Sequence, residues 1–383
     1  MNNRNTKTKK VIRTFAIASF LNDLGSDIIN PVWPHFVTII LKANMAALGL
    51  LDGLGETLVS ISQAASGYAS DRIKKRKVFI WSGYLLGAFS RLGYAISSIW
   101  PHLIPFKVMD RAGKIRSAPR DAIVADVSTK ENRGKNFGLL RAMDHLGAVF
   151  GILICLAFFS LLGYRILFAL AAIPSLISAF LIFTLIKEKR SGEIKLYKGI
   201  SLKDLNRNFR LFLTLSSLYA LGAFSYSFLL IYARELGFKI TSVTVLYLIF
   251  TAAASLFSYP FGKLSDMIGR KPVLLLSYMF WAAVCLILIL GRSDLTVYLA
   301  FIFYGAHKGA LEPVQKTFIS ELAPLEFRAS CLGGFQMVIG LCALPASFIA
   351  GLLWEVFGML APFFFSLVLT IISGIMLLFV KKR

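Results

Sequence analysis

Lys107-Val-Met-Asp-Arg-Ala-Gly-Lys-Ile-Arg-Ser-Ala-Pro-Arg-Asp121 has the composition of a soluble loop, with charges at Lys107, Asp110, Arg111, Lys114, Arg116, Arg120 and Asp121. The chain around it has the composition of a membrane protein. Of its 383 residues 57% are hydrophobic and only 16% charged, and its mean hydropathy is +0.70. Apolar runs of about 20 residues, the length that crosses a bilayer, recur from end to end. The quoted stretch falls where one of those spans belongs. Charge at that depth is costly, so it is kept for function or for pairing with other buried charge.

Twelve helical spans fit the pattern, near 12–40, 45–70, 78–98, 102–126, 137–162, 164–186, 211–235, 241–265, 272–291, 295–321, 330–355 and 358–380. The long polar segment 187–210 divides them, so the expected organisation is a six-helix bundle over 1–186, a linker, and a second bundle over 211–383. The apolar run after the basic N-terminal stretch reads as the first span. That run is too long, and too interrupted by Asp23 and Asp27, for a cleaved signal. Lys and Arg crowd the N-tail, the loop at 72–77, the linker and the C-tail, which places both termini and the linker in the cytoplasm. The net charge of +22 follows from this one-sided crowding. Nucleic acid is not an expected partner, because no basic domain interleaved with aromatics is present. The four cysteines lie in apolar stretches without metal-ligand spacing. No metal, cofactor or disulfide framework is expected. The expected partners are the lipid bilayer of the cell membrane and a small-molecule substrate, with the chain acting as a monomer.

An internal repeat organises the two halves. Gly67-Tyr-Ala-Ser-Asp71-Arg72 matches Gly262-Lys-Leu-Ser-Asp266-Met, and the Gly269-Arg270-Lys271 that follows completes the second copy. Asp126, Arg133 and Gly138 match Glu321, Arg328 and Gly333 at the same offset, 195 residues (71 to 266). A shared offset marks a duplication whose halves have one orientation, as in one class of secondary transporter. With its loop motif present twice, its twelve spans and its central linker, the chain resembles the major facilitator superfamily; no subfamily is identified. The resemblance implies an all-α integral membrane fold of two parallel six-helix repeats, a secondary active transporter rather than an enzyme, and substrate bound between halves that rock by alternating access. It implies that Asp71, Arg72, Asp126, Arg133, Asp266, Arg270, Glu321 and Arg328 form a cytoplasmic gate of salt bridges. It also implies a proton-coupling role for Arg111. Gly147 and Gly151 resemble an antiporter motif, although Ile152 stands where its proline belongs. With Gly67 and Gly262 they are the expected helix-packing glycines.

The remaining intramembrane polar residues are the candidate substrate and proton site. In span 1, Ser19, Asp23, Ser26, Asp27 and Asn30 share one helical face. At ~1.5 Å per residue Asp23 lies about 15 Å beyond Arg13, at mid-membrane depth. Span 2 adds Glu56 and span 3 adds Arg91, read as a partner for a nearby carboxylate. On a continuous helix, span 4 presents Lys107, Asp110, Arg111, Lys114 and Asp121 to a cavity, while Arg116 and Arg120 point away toward loops or headgroups. Span 5 adds Arg141, Asp144 and His145, and span 10 adds Lys308 and Glu312, spaced to pair with each other. At the repeat offset the first-half charges meet Leu218, Gly222, Thr251, Leu286, Gly305, Ala306, Gly309, Gln336 and Ile339. None of these is charged. A fold requirement common to both halves would have kept charge in both, so the asymmetry points to binding or coupling. The leading expectation is efflux of a small organic solute driven by the proton gradient. The alternatives are transport of an organic anion, favoured by the cations of span 4, and a transporter-like membrane receptor.

Overall fold

The computed structural model describes residues 2–73, 75–127, 133–187, 206–323 and 328–380. Its described residues form twelve helical segments. Helix α1 (Asn2–Ile29) continues through two short turns, Trp33–His35 and Phe36–Ile40. Helices α2 (Met45–Ile73) and α3 (Lys77–Ile96) follow. Helix α4 comes in three pieces, Leu103–Ala112, Gly113–Arg116 and Ser117–Val127. Helices α5 and α6 share the stretch Arg133–Leu185 and divide at Gly163. Helix α7 comes in two pieces, Arg207–Gly222 and Ser227–Glu235. The rest are α8 (Ile240–Ile268), α9 (Arg270–Leu290), α10 (Asp294–Leu322), α11 (Arg328–Phe357) and α12 (Ala361–Leu378). Helices dominate because a chain in lipid must satisfy its backbone polar groups within each segment.

Among the described residues, seven helical stretches are long and apolar enough to cross a membrane by length and composition alone, and one of them, Leu139–Leu185, holds both α5 and α6. The others, α1, α3, α4 and α10, fall short because they carry Asp23, Asp27, Arg91, the charges of α4, and Lys308 with Glu312. Large apolar side chains stand outward, among them Leu161, Phe180, Leu290 and Phe357. Such faces suit lipid rather than water. Gly163 divides α5 from α6 at φ 65° and ψ −176°, a conformation open essentially to glycine alone.

The contacts divide the chain into two compact units. The first holds residues 1–42 and 58–196. At one end its core gathers Ile12, Phe15 and Ala18 of α1, Ile80 and Tyr84 of α3, Val124 of α4, Leu140 of α5 and Ile182 of α6. Toward the other end Phe36 meets Phe168 edge to face at 4.9 Å. Deep inside, α1 and α5 touch backbone to backbone. A Cβ on Gly147 would collide with the Phe20 carbonyl, and one on Gly151 with the carbonyl of Leu24.

The second unit holds residues 43–57 and 197–383. Chain order alone had assigned 43–57 to the first bundle, but its packing partner is α11. Gly49 and Gly53 of α2 lie against the backbone of Ser347 and Leu344, and Gly351 of α11 lies against Met45 and Ala46. Thr57 Oγ1 donates to the Gly340 carbonyl at 2.7 Å. The Glu355 carboxylate accepts from the Ala46 amide at 2.8 Å, placing negative charge at the N-terminus of α2, where the helix dipole favours it. The core of this unit is aromatic, with Trp281 at its centre donating to Ser366 Oγ at 2.7 Å.

Gly262 departs from expectation. Among the described residues nothing lies within 4 Å of where its Cβ would stand, so it packs against no described neighbouring helix. Gly67 lies outside the residues whose side-chain surroundings are described. Gly151→Val is therefore expected to destabilise by about 1–3 kcal/mol through overpacking, whereas Gly262→Ala should be neutral or stabilise by up to about 1 kcal/mol. Thermal midpoints in detergent check both, and an equal loss from the two substitutions would contradict the packing described.

Candidate functional site

The charged stretch of α4 owes its geometry to Pro119. Lacking an N–H, a proline cannot bond to the carbonyl four residues back, and it sits best in a helix's first turn. The helix accordingly tightens into a 3-10 turn at Gly113–Arg116 and restarts at Ser117, with Pro119 in the new first turn. Gly113 makes room for the turn, since a Cβ there would collide with the Gly83 carbonyl of α3. Three residues per turn instead of 3.6 adds about 20° per residue, roughly 80° over the four. The charges beyond the turn therefore face a different direction from the one a continuous helix predicts.

That rotation corrects the expected division of α4. Arg116 and Arg120 do not turn away. They line a cavity of about 270 Å³ in the first unit together with Lys114, Ser117 and Asp121. The other walls are Ser19, Asn22 and Asp23 of α1, Gln63 of α2, Tyr84 of α3, and Arg141 and Asp144 of α5. Almost every lining side chain is polar. Arg120 donates to Ser19 Oγ at 2.7 Å and pairs with Asp121 at 3.0 Å. Arg116 donates to the Gly113 carbonyl at 2.8 Å and lies over the Tyr84 ring at 5.0 Å. Asp23 accepts from Asn22 Nδ2 at 2.8 Å. Asp144 Oδ2 is 3.5 Å from Arg141, while among the described residues its buried Oδ1 has no hydrogen-bond partner.

The other expected residues of this unit lie elsewhere. Lys107 is buried with its Nζ 4.1 Å above the Trp33 ring. Asp110 takes a hydrogen bond from Ser90 at 3.4 Å and stands 3.4 Å from Arg111 Nε. Asp27 accepts from Asn30 at 3.1 Å. His145 is exposed and does not line the cavity. Among the described residues Arg91 has no carboxylate as its direct partner. It is fully buried between α1, α3 and α6, donating to the Ala171 carbonyl at 2.8 Å, Ser175 Oγ at 2.5 Å, the Asn22 carbonyl at 3.1 Å and Ser26 Oγ at 2.8 Å. Gly25 admits the guanidinium, because any Cβ there would strike it. Ser175 in turn donates to Asn22 Oδ1 at 3.1 Å. A hydrogen-bonded path thus runs from Arg91 through Ser175 and Asn22 to Asp23. Asn22, Gln63 and Ser175 went unnoticed in the sequence because one uncharged polar residue in a span carries little signal.

The second unit holds a separate polar group. Glu56, Tyr304 and Glu312 act electrostatically on Lys308, whose Nζ is 5.9 Å from the Tyr304 ring. His307 is a buried core residue. Its Nδ1 is 2.9 Å from the Ser277 carbonyl, which only accepts, so Nδ1 carries the proton and Nε2 accepts from the Tyr219 hydroxyl at 2.8 Å. Asp52, which the sequence reading passed over, accepts from Ser225 at 2.8 Å and from Ser227, beside the break in α7.

At the ends of the spans the loop motifs form ion pairs. Arg76 meets Asp126 at 2.6 Å. Arg270 meets Asp266 at 2.5 Å and Glu321 at 2.9 Å. Asp126 and Glu321 are repeat equivalents, so each unit carries the pair at a matching place. Their partners are Arg76 and Arg270. The side chains of Asp71, Arg72, Arg133 and Arg328 lie outside the described residues.

A family model described as the Major Facilitator Superfamily matches residues 15–230 and again 210–383. An uncharacterized MFS-type transporter of Methanocaldococcus jannaschii is 35% identical over 390 residues, covering 99% of this chain and 97% of the relative. Multidrug resistance protein 2 of Bacillus subtilis is 28% identical over 321 residues, 79% of each chain. Among solved structures, that of a nucleoside transporter superposes with a TM-score of 0.81 at 14% identity, covering 97% of this chain and 100% of the other. This last likeness is one of fold.

The Arg76–Asp126 pair is open to a charge-swap test. Arg76→Asp and Asp126→Arg are each expected to lower the thermal midpoint. The double swap should recover part of the loss, with a coupling of roughly 0.5–1 kcal/mol. No recovery in the double variant would mean that the two side chains do not interact in solution.

Proposed function

The chain belongs to the major facilitator superfamily, and from that premise we propose that it exports a small organic solute in exchange for protons, by alternating access. Membership makes it a multi-pass membrane protein and a secondary transporter rather than an enzyme. The observation that carries the proposal is the pair of carboxylates, Asp23 on α1 and Asp144 on α5, set in the wall of one polar cavity. Protonated, such a group donates a hydrogen bond into the cavity. Ionised, Asp144 is held by Arg141 and Asp23 by Asn22. A carboxylate with a partner in either form suits a site that takes up and releases one proton per cycle. The drug-resistance name of the Bacillus subtilis relative supports the outward direction.

We place both termini and the Arg76–Asp126 and Arg270–Glu321 pairs at the cytoplasmic face. There, making and breaking the pairs would bias the equilibrium between conformations. The first-half confinement of Asp23, Lys114, Arg141 and Asp144 supports a coupling role over a purely structural one.

Purified protein in liposomes with an acidic lumen tests the proposal against a panel of small organic solutes, read by solute accumulation and a lumenal pH dye. The wild type is expected to accumulate its solute as the lumen alkalinises. Asp23→Asn should keep solute exchange and lose accumulation at least tenfold. Wild-type accumulation in both Asp23→Asn and Asp144→Asn would remove these carboxylates from coupling.

A further inference from the structure

Charge bookkeeping within the cavity leaves one group over. The lining holds four cations, Lys114, Arg116, Arg120 and Arg141, against the carboxylates of Asp23, Asp121 and Asp144. Arg120 is engaged by Asp121 and Ser19, and Arg141 by Asp144. Arg116 is committed to the Gly113 carbonyl and the Tyr84 ring. Lys114 differs. Among the described residues it has neither a hydrogen bond nor an ion pair, and Asp23 and Asp110 act on it only through space. Lys114 is half-buried in the cavity wall, where its ammonium offers three donors. An anion supplied by the substrate is a direct counter-charge for it.

We propose that Lys114 is the anchor for the carboxylate of a small, hydrophilic monocarboxylic acid, and that such acids are the substrate class. This deepens the transporter reading and rests on it. The surplus of one cation matches a monoanion. A phosphate dianion would overshoot it, and the two guanidiniums best shaped for phosphate, Arg116 and Arg120, are already engaged. The rest of the lining selects the body of the molecule. Ser19, Asn22, Gln63 and Ser117 offer hydroxyl and amide groups, and Ala118 is the lone aliphatic side chain. Ser19 and Asn22 are already bonded within the protein, but a purely hydrocarbon acid would set its body against the Gln63 amide and the Ser117 hydroxyl, so hydroxy- or amide-bearing acids fit better. The volume of about 270 Å³ is below that of sites for drug-sized ligands, roughly 300–1,000 Å³. Large apolar compounds are therefore poor candidates. Lys114 lies in the 3-10 turn of α4, held against α3, so a rigid element presents the ammonium.

The test is a thermal-shift and equilibrium-binding series on the full-length protein, using small hydroxy- and amido-monocarboxylates, each beside its neutral carboxamide. Carboxylates are expected to raise the wild-type midpoint and the matched carboxamides are not. Lys114→Met should weaken carboxylate binding tenfold or more, with Lys114→Arg retaining most of it. The unliganded midpoint of Lys114→Met reports whether that variant is folded, and if it is not, Lys114→Gln takes its place. Equal binding of carboxylate and carboxamide, undiminished binding by Lys114→Met, or a wild type stabilised by no acid in the series each overturns the assignment. The two proposals fail separately. A protein that binds the acids but moves none on a proton gradient refutes the coupling and leaves Lys114 in place. One that moves only neutral or cationic solutes with protons refutes the role of Lys114 and leaves the coupling in place.

Discussion

A charge inside a bilayer must find in protein what water would otherwise supply, and the first unit meets that requirement at Arg91. Its guanidinium is spread over two backbone carbonyls and two serine hydroxyls on α1 and α6, in space that Gly25 leaves open. Three helices are thereby tied at mid-depth by hydrogen bonds rather than by an ion pair. The arrangement spares the carboxylates. Asp23 and Asp110 sense Arg91 only through space, so Asp23 keeps its carboxylate for the cavity. Through Ser175 and Asn22 the same network orients Asp23, so the packing that stabilises the unit also places its proton-coupling candidate.

The second requirement is steric. Helices in lipid associate by close packing, since the surrounding tails are as apolar as the helices themselves. Gly147 and Gly151 bring α5 onto α1, which sets Asp144 across the cavity from Asp23. Gly83 and Gly113 bring α4 onto α3 where α4 tightens, which sets Lys114 and Arg116 in the wall. In the second unit Gly49, Gly53 and Gly351 do the same for α2 and α11. In both units glycine decides how near two backbones come, and polar residues beside it acquire their partners as a result.

The repeat makes the contrast between the halves informative. Both copies keep the acidic residue and arginine at the ends of their spans. Both interrupt their first helix, at residues 30–32 in α1 and 223–226 in α7. Only the first copy breaks its fourth helix into a 3-10 turn; α10 runs unbroken from Asp294 to Leu322. Where α4 has Asp110, Arg111 and Lys114, α10 has Gly305, Ala306 and Gly309. Duplication preserved the scaffold, and the specialised chemistry of the cavity lies in one copy.

The sequence by itself determined the twelve helices, the duplication, the family and the set of charges that demand explanation. Hydropathy, repeat offset and loop motifs are local or periodic signals that survive without coordinates. It did not determine which of those charges meet. Asp23, Lys114, Arg141 and Asp144 converge on one cavity, whereas Arg91, Lys107, Asp110 and His145, equally visible as charged or titratable residues in spans, do not. Two physical causes separate them. A four-residue 3-10 turn rotates the second half of α4, bringing in Arg116 and Arg120, which a straight helical wheel sends away. Packing also joins segments far apart in the chain, as when Thr57 bonds to Gly340, 283 residues on, and draws residues 43–57 and Glu56 into the second unit. Side-chain direction beyond a break and contacts across such distances depend on three-dimensional packing, and only the tertiary structure decides them.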